Sequence, residues 1–194
     1  METAGTIDDD LGARLAAAAA GDRASWDALV DRFNALVWSV ARSFRLSDED
    51  AADVVQTTWL RLLDHLDRIE EPQRLGSWLA TTARRECLHT LRRTSREPAL
   101  EVIEIMARVP DPRPPVDHEL LRGERDIALW ALFERLSDGC RRLLRVMIAT
   151  PPPSYADIAA ALDMPVGSIG PTRARCLATL RTLAVDADIA LDLG

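Results

Sequence analysis

Ser154-Tyr155-Ala156-Asp157-Ile158-Ala159-Ala160-Ala161-Leu162-Asp163-Met164-Pro165-Val166-Gly167-Ser168-Ile169-Gly170-Pro171-Thr172-Arg173-Ala174-Arg175 contains two helix starts within one short stretch. Pro151 to Pro153 stop any helix running in from upstream, because proline lacks the amide a helix interior needs. Ser154 followed by Asp157 three residues later reads as a capping box. Ile158, Ala161 and Leu162 then supply the apolar face of a short helix. Asp163-Met164-Pro165 ends it. Ser168 is placed to cap a second helix, with Pro171 tolerated in its first turn, and Ile169, Cys176, Leu180 and Leu183 recur on one side. Arg173, Arg175 and Arg181 put three arginines and no acid on that helix. A short helix, a tight turn and a longer basic helix make the helix-turn-helix pattern, whose second helix enters the DNA major groove. An ordinary helical hairpin would look the same, so the rest of the chain decides.

The 194 residues allow one large or two small domains. Every one of the 24 basic residues is arginine, and the net charge is −7. An acidic chain is a poor candidate for coating nucleic acid indiscriminately, so the local distribution of charge matters more than the sum. Acids crowd the two ends and the middle and leave two basic islands. Alternating β-branched residues and hairpin turns are scarce, so the fold class expected is all-α. The Ala16 to Ala20 run is too short for a membrane span, and no membrane insertion is expected. Cys87, Cys140 and Cys176, far apart and odd in number, suggest reduced thiols in a cytoplasmic protein. Cys87 and His89, two apart on a helix, point to different sides and make a poor metal pair.

Residues 1–10 are acidic and unpatterned and are expected to be disordered. Helix is expected over about 11–20, and Gly21 stops it. Asp22 caps the next, running to about Phe44 through Trp26, Leu29, Val30, Phe33, Leu36, Val37 and Val40. Ser47 with Asp50 opens a third, to about Asp67, with Ala51, Val54, Val55, Trp59, Leu62, Leu63 and Leu66 inward. Pro72 precedes a fourth, to about Arg96. At roughly 100° per residue Leu79, Ala83, Cys87 and Leu91 form one side of it. Arg85, His89, Arg92, Arg93 and Arg96 gather on the other side, with Trp78 at the head, and the only acid between Gly76 and Arg96 is Glu86. A solvated face normally mixes signs. A stripe of one sign with an aromatic suits a phosphate backbone and a stacked base, although Trp78 also fits a core position. Five prolines among the acids of residues 98–116 read as a linker and domain boundary. Beyond it, one helix is expected over 117–136, with Leu120, Leu121, Ile127, Ala131 and Leu132 inward. Ser137-Asp138 opens another through Leu143, Leu144, Met147 and Ile148, and residues 186–194 form an acidic tail. No phosphate loop, nucleophile motif or metal-ligand spacing appears, so neither enzyme activity nor a cofactor or metal is expected.

In this order the segments resemble a bacterial RNA polymerase sigma factor of the extracytoplasmic-function type, within the sigma-70 family, which keeps only the second and fourth sigma domains. Asp48 to Leu62 is similar to the family's core-polymerase-binding helix. Trp78-Leu79-Ala80-Thr81-Thr82-Ala83-Arg84-Arg85 with Leu91-Arg92-Arg93 is similar to the segment that melts and reads the −10 promoter element. Leu136-Ser137-Asp138, Tyr155 to Ala159 and Leu162 are similar to the −35-reading domain. The resemblance implies domain 2 over residues 11–97 and domain 4 over 117–185. It implies core RNA polymerase as partner, through the β′ clamp helices and the β flap, with Asp50, Asp53, Val54, Gln56, Thr57, Leu60 and Arg61 at the contact.

For promoter DNA the resemblance implies −10 contacts by Trp78, Thr81, Arg84, Arg85, His89, Arg92, Arg93 and Arg96, with the preceding loop, about residues 66–77, holding an extruded base. Unstacking a base costs a few kcal/mol, and aromatic stacking returns about 1–3 kcal/mol. It implies −35 contacts by Ser168, Gly170, Pro171, Thr172, Arg173 and Arg175, and many relatives are held by an anti-sigma factor. The chain departs from the family in three places. Arg84-Arg85 and His89 stand where relatives carry Arg-Asn and a later Asp. Arg173 occupies a position often apolar. Asp163 replaces the usual turn glycine, so another residue is expected to absorb the turn. The rival reading is a free-standing helix-turn-helix regulator, which needs a dimer surface that the sequence does not offer.

Overall fold

The computed structural model describes residues 5–94 and 124–187, with side chains from residue 10 in the first part and from residue 128 in the second. It is all-α over those residues. Four helices come first: α1 (Gly5–Ala19), α2 (Arg23–Ser43), α3 (Asp48–Leu63) and α4 (Leu75–Thr94). Single 3-10 turns at Leu66–Arg68 and Pro72–Arg74 join α3 to α4. Then come α5 (Glu124–Glu134), α6 (Asp138–Met147), α7 (Tyr155–Leu162) and α8 (Val166–Asp186). The expected linker over 98–116, the helix start before Glu124 with its Leu120 and Leu121, the acidic tail beyond 187, and Arg96 lie outside the described residues.

Local sequence sets most helix boundaries. The carboxylate of Asp22 accepts from the Ser25 amide at 2.9 Å and opens α2, and Ser47 Oγ accepts from Asp50 N at 3.1 Å and opens α3. Ser154 and Asp157 make the reciprocal box at α7, both bonds at 3.1 Å. Gly21 ends α1 at φ 91°, which a residue with a Cβ adopts only at a cost. Several expectations need correction. Helix α1 begins at Gly5, so residues 5–10, expected to be disordered, are helical. Helix α3 stops at Leu63 rather than at Asp67. Ala131 is exposed while Leu132 is buried, because the apolar face of α5 runs through Leu129, Leu132 and Phe133.

Helices α2, α3 and α4 pack around Leu29, Val37, Val40, Val54, Leu62, Leu75 and Leu79, with α1 laid across α2. Trp26 and Trp59 meet edge to face at 5.7 Å, and Trp59 Nε1 donates to Asn34 Oδ1 at 3.3 Å. Helices α5 to α8 enclose Leu132, Leu136, Leu143, Val146, Ile158, Ile169 and Leu180. The two groups of helices touch: α7 lies on α4 and α6 lies on α2, so their buried apolar residues form one connected core. Two of the three cysteines are bonded, Cys140 to Cys176, which corrects the expectation of three free thiols. Only Cys87 is free; it is buried, and burial pushes its thiol pKa up to about 12.

Candidate nucleic-acid and polymerase interface

The rotation of α4 sorts its residues into three faces. Leu79, Ala83 and Cys87 are buried. Arg85, His89, Arg92 and Arg93 are exposed along the opposite side, as about 100° per residue requires. Trp78 is half-buried at the head of this stripe, its ring 6.0 Å from His65. Together with Arg68, Ile69, Glu70, Glu71 and Arg74 these two rings line a cleft of about 230 Å³. Trp78 thus both packs against the core and walls an open cleft. His65, Arg68 and Arg74 were not singled out in the sequence beyond the general loop assignment. Their signal was a histidine followed by two arginines just upstream of the tryptophan. Thr81 is half-buried on the shoulder of the stripe.

Arg84 is the correction on this helix. It lies about 120° from the Trp78 line, on the face covered by α7, and Nη2 meets Asp163 Oδ2 at 2.6 Å. Next to it, Ser77 Oγ donates to Asp157 Oδ1 at 2.8 Å. Gly76 permits this approach, since a Cβ there would lie 2.7 Å from Asp157 Oδ1. Arg93 pairs with Asp50 at 3.5 Å, and Arg61 with Glu86 at 2.9 Å, so α3 and α4 are also tied by charge.

On α3 the exposed face comprises Asp53, Gln56, Leu60 and Arg61, with Thr57 half-buried. Two expectations fail here. Val54, named as a partner contact, is 2% exposed and belongs to the core. Leu63, expected inward, is 48% exposed and continues the line of Asp53, Gln56 and Leu60, itself 52% exposed. Applying the helical rotation to position 63 gives this result from sequence, because Leu62 already occupies the inward direction. Asp50 lies at the rim, half-buried, its carboxylate accepting from Ser47 Oγ at 2.7 Å.

The helix-turn-helix is α7, the turn Asp163 to Pro165, and α8. Asp163 itself takes the left-handed turn at φ 56° and ψ 51°, correcting the expectation that another residue would do so; aspartate tolerates this region better than most residues. Helix α8 begins at Val166 with Pro165 at the cap, so Ser168 is not the cap. Its amide donates to Pro165 O at 3.0 Å and its hydroxyl to the same oxygen at 2.7 Å, which removes that amide as an anion donor. Gly170 and Pro171 do not open the helix but lie within it. The glycine, having no Cβ, eases the restriction that proline imposes on the residue before it. Arg173 and Arg175 are both exposed, with Cys176 buried beside them. Arg175 Nη2 donates to Thr172 Oγ1 at 3.2 Å.

Among the described residues no three His, Cys, Asp or Glu side chains converge as a metal site, and no helix is long and apolar enough to cross a membrane.

Residues 29–97, the span holding α4 and its cleft, match the family model Sigma-70 region 2. No curated protein matches the chain significantly. Among solved structures the chain is similar to CnrH, solved in complex with the cytosolic domain of CnrY. Identity is 25% and the TM-score 0.55, over 90% of this chain and 96% of that one. It is also similar to the sigma factor RpoE, solved in complex with the anti-sigma factor NepR from Bartonella quintana. Identity is 22% and the TM-score 0.57, over 81% of this chain and 96% of that one. With the family match falling on the helices that form the aromatic cleft and the arginine stripe, residues 29–97 belong to Sigma-70 region 2, and the likeness of the chain to CnrH and to the sigma factor RpoE supports its resemblance to an extracytoplasmic-function sigma factor.

Proposed function

We propose that this sigma factor opens and holds the −10 element on α4 and reads the −35 duplex with α8. The observation that carries the reading is the Trp78 cleft set at the head of the exposed Arg85, His89, Arg92 and Arg93 stripe. A strand running along the stripe places its phosphates on the guanidiniums, which give affinity but little sequence choice. A base leaving the stack at the head of the stripe meets the Trp78 and His65 rings, where stacking offsets part of the unstacking cost. On α3, Asp53, Gln56, Leu60 and Leu63 form the polymerase-docking line, with two exposed leucines as its apolar anchors. Arg173 and Arg175 are the candidates for base or phosphate contact at −35. The site of action is the cytoplasm, and the protein works by binding rather than by catalysis.

The packing of α7 on α4 bears on how this works. The two promoter elements are about 25 base pairs apart, or roughly 80 Å at ~3.4 Å per step. A compact chain of this length has a radius of gyration of only ~16 Å. Both elements are read together only if α7 leaves α4, which also releases Arg84 from Asp163. A partner of the anti-sigma kind would oppose this by covering α3 and α4.

The experiment is co-purification and run-off transcription with bacterial core RNA polymerase on genomic DNA fragments. Discrete new start sites sharing two upstream elements support the reading. A chain that neither binds core enzyme nor redirects initiation refutes it. Trp78→Ala should then cut open-complex formation at least tenfold while leaving core-enzyme affinity within twofold, as measured by permanganate reactivity and by titration. Equal loss of both would make Trp78 a packing residue only.

A further inference from the structure

Cys140 and Cys176 join two helices of the −35 half that the sequence separates by 36 positions. Cys176 lies on α8, directly after Arg175, and is 1% exposed. Cys140 lies in the first turn of α6 and is half-buried, its amide donating to Ser137 Oγ at 3.4 Å. Cys140 is thus the more accessible of the two sulfurs, and its thiolate is the form that would meet an oxidant first. Cys87 lacks all of these features: it is sealed in the core with no cysteine to pair with. The three cysteines therefore separate into one reactive pair and one inert thiol.

The bond sits where it can influence DNA reading. Arg173 and Arg175 flank the buried Cys176 edge of α8, and beyond the sulfur that edge is held by Ile169, Leu180 and Ala184. The arginines project to ~6 Å from the helix axis, so a ~20° rotation of α8 moves their tips by ~2 Å. That exceeds the tolerance of a hydrogen bond to a base edge. A covalent tie at Cys176 fixes both the rotation and the depth of the helix. Without it, packing alone sets them.

We propose that Cys140 and Cys176 form a reversible thiol–disulfide switch in which oxidation locks α8 in its DNA-reading orientation, an inference that rests on the −35 role given to α8 above. A hydroperoxide is the oxidant. The Cys140 thiolate attacks its O–O bond and becomes a sulfenic acid; hydrogen peroxide leaves one water. The Cys176 thiol then attacks that sulfur, the S–S bond forms, and a second water departs with the thiol proton. Two thiols and one peroxide thus yield one disulfide and two waters. A dithiol reductant reverses the step through a mixed disulfide, giving two electrons and two protons to the protein sulfurs and leaving as its own disulfide.

The test uses the full chain with core RNA polymerase on the same genomic fragments, prepared in peroxide-treated and dithiothreitol-treated forms. Maleimide mass-tagging of the denatured chain counts free thiols, and hydrogen exchange reports on the α8 amides. Peroxide should remove two tags and spare Cys87. Run-off yield from the oxidised form should exceed that from the reduced form at least threefold, with α8 amides exchanging at least tenfold more slowly. Cys140→Ser should stay at the reduced level in both treatments, and Cys87→Ser should respond as the unchanged chain does. Because Cys140→Ser leaves the buried Cys176 in place, it tests the bond without emptying the core. Three tags remaining after peroxide, or equal yields from the two forms, overturns the proposal. Absence of transcripts in either form refutes the sigma-factor reading instead. The exchange rates of α8 then decide the switch: a redox-dependent difference supports it, and identical rates reject it.

Discussion

Gly76→Ala is expected to separate α7 from α4 while strengthening α4 itself. The added methyl would lie 2.7, 2.8 and 2.9 Å from Oδ1, Cγ and Oδ2 of Asp157, where ordinary contact begins at 3.4 Å. The carboxylate has little freedom to move away. Oδ2 accepts from the Ser154 amide at 3.1 Å and Oδ1 from Ser77 Oγ at 2.8 Å, so it is held at both ends. Either the cap of α7 breaks, costing ~0.5–2 kcal/mol, or α7 retreats and loses the Ser77 bond, worth ~1 kcal/mol. Against this, alanine in a helix interior is favoured over glycine by ~0.8–1 kcal/mol. Small-angle scattering of the free chain should show a larger radius of gyration for the variant, with full helicity retained. The same substitution in an Asp157→Ala background removes the collision. There Gly76→Ala should raise stability by ~1 kcal/mol, a reversal of sign that a double-mutant cycle resolves. Superimposable scattering curves for the variant and the unchanged chain would refute the argument, as would a destabilisation that persists without the Asp157 carboxylate.

Leu60→Asp and Leu63→Asp are expected to lower core-polymerase affinity at least tenfold each with the melting midpoint unchanged, since both side chains are about half-exposed and peripheral to the core. Titration of labelled core enzyme checks this, and unaltered affinity would remove α3 as the docking line. Asp163→Gly relieves a left-handed backbone that costs a residue with a Cβ ~1–2 kcal/mol and gives up an ion pair whose carboxylate is 72% exposed. Stability should rise by ~1 kcal/mol in urea melts, and a fall would mean that the Arg84 bridge outweighs the turn. Asp138 has its carboxyl held below the usual range, first by the Arg141 side-chain hydrogen bond and then by the charges of Arg141, Arg45 and Arg142. A depressed folded pKa stabilises above the unfolded value of about 4 and loses that contribution as pH falls through the folded value. The midpoint difference between the unchanged chain and Asp138→Asn should therefore be present at neutral pH and close below about pH 4.

The features legible in the sequence are those whose cause is local. The caps at Asp22, Ser47 and Ser154 and the stop at Gly21 follow from residues a turn apart, and so do the inward faces of α2 and of α4 as far as Cys87; Leu91, expected on that face, is 37% exposed. The Trp78 and arginine stripe was legible for the same reason, since one helix carries all of it. Leu63 was misassigned by listing every apolar residue of α3 as inward, and Val54 by naming an inward residue as a partner contact; the rotation angle separates the two faces. Asp163 was misread because a rule about glycine stood in for the question of which other residues tolerate a left-handed turn. The Cys140–Cys176 bond, the Gly76–Asp157 approach and the Arg84–Asp163 pair had no local signal. Each joins positions tens of residues apart, and a single sequence does not show that those positions meet.

Those distant contacts also determine how readily the closed arrangement opens. Between α4 and α7 the polar ties are the Ser77–Asp157 hydrogen bond and the Arg84–Asp163 pair. Between α2 and the second half they include Arg145 to the Arg42 carbonyl at 3.0 Å, and Arg45 to Glu134 at 3.3 Å and to Asp138 at 3.8 Å. Each is worth about 1 kcal/mol or less in net terms, because water replaces the partner on opening. Moving a two-state equilibrium from one part in a hundred to ninety-nine takes ~5.5 kcal/mol of differential binding. On the proposed reading, opening would therefore draw on polymerase docking and DNA contacts together, and it would free Arg84, which pairs with Asp163 in the closed arrangement.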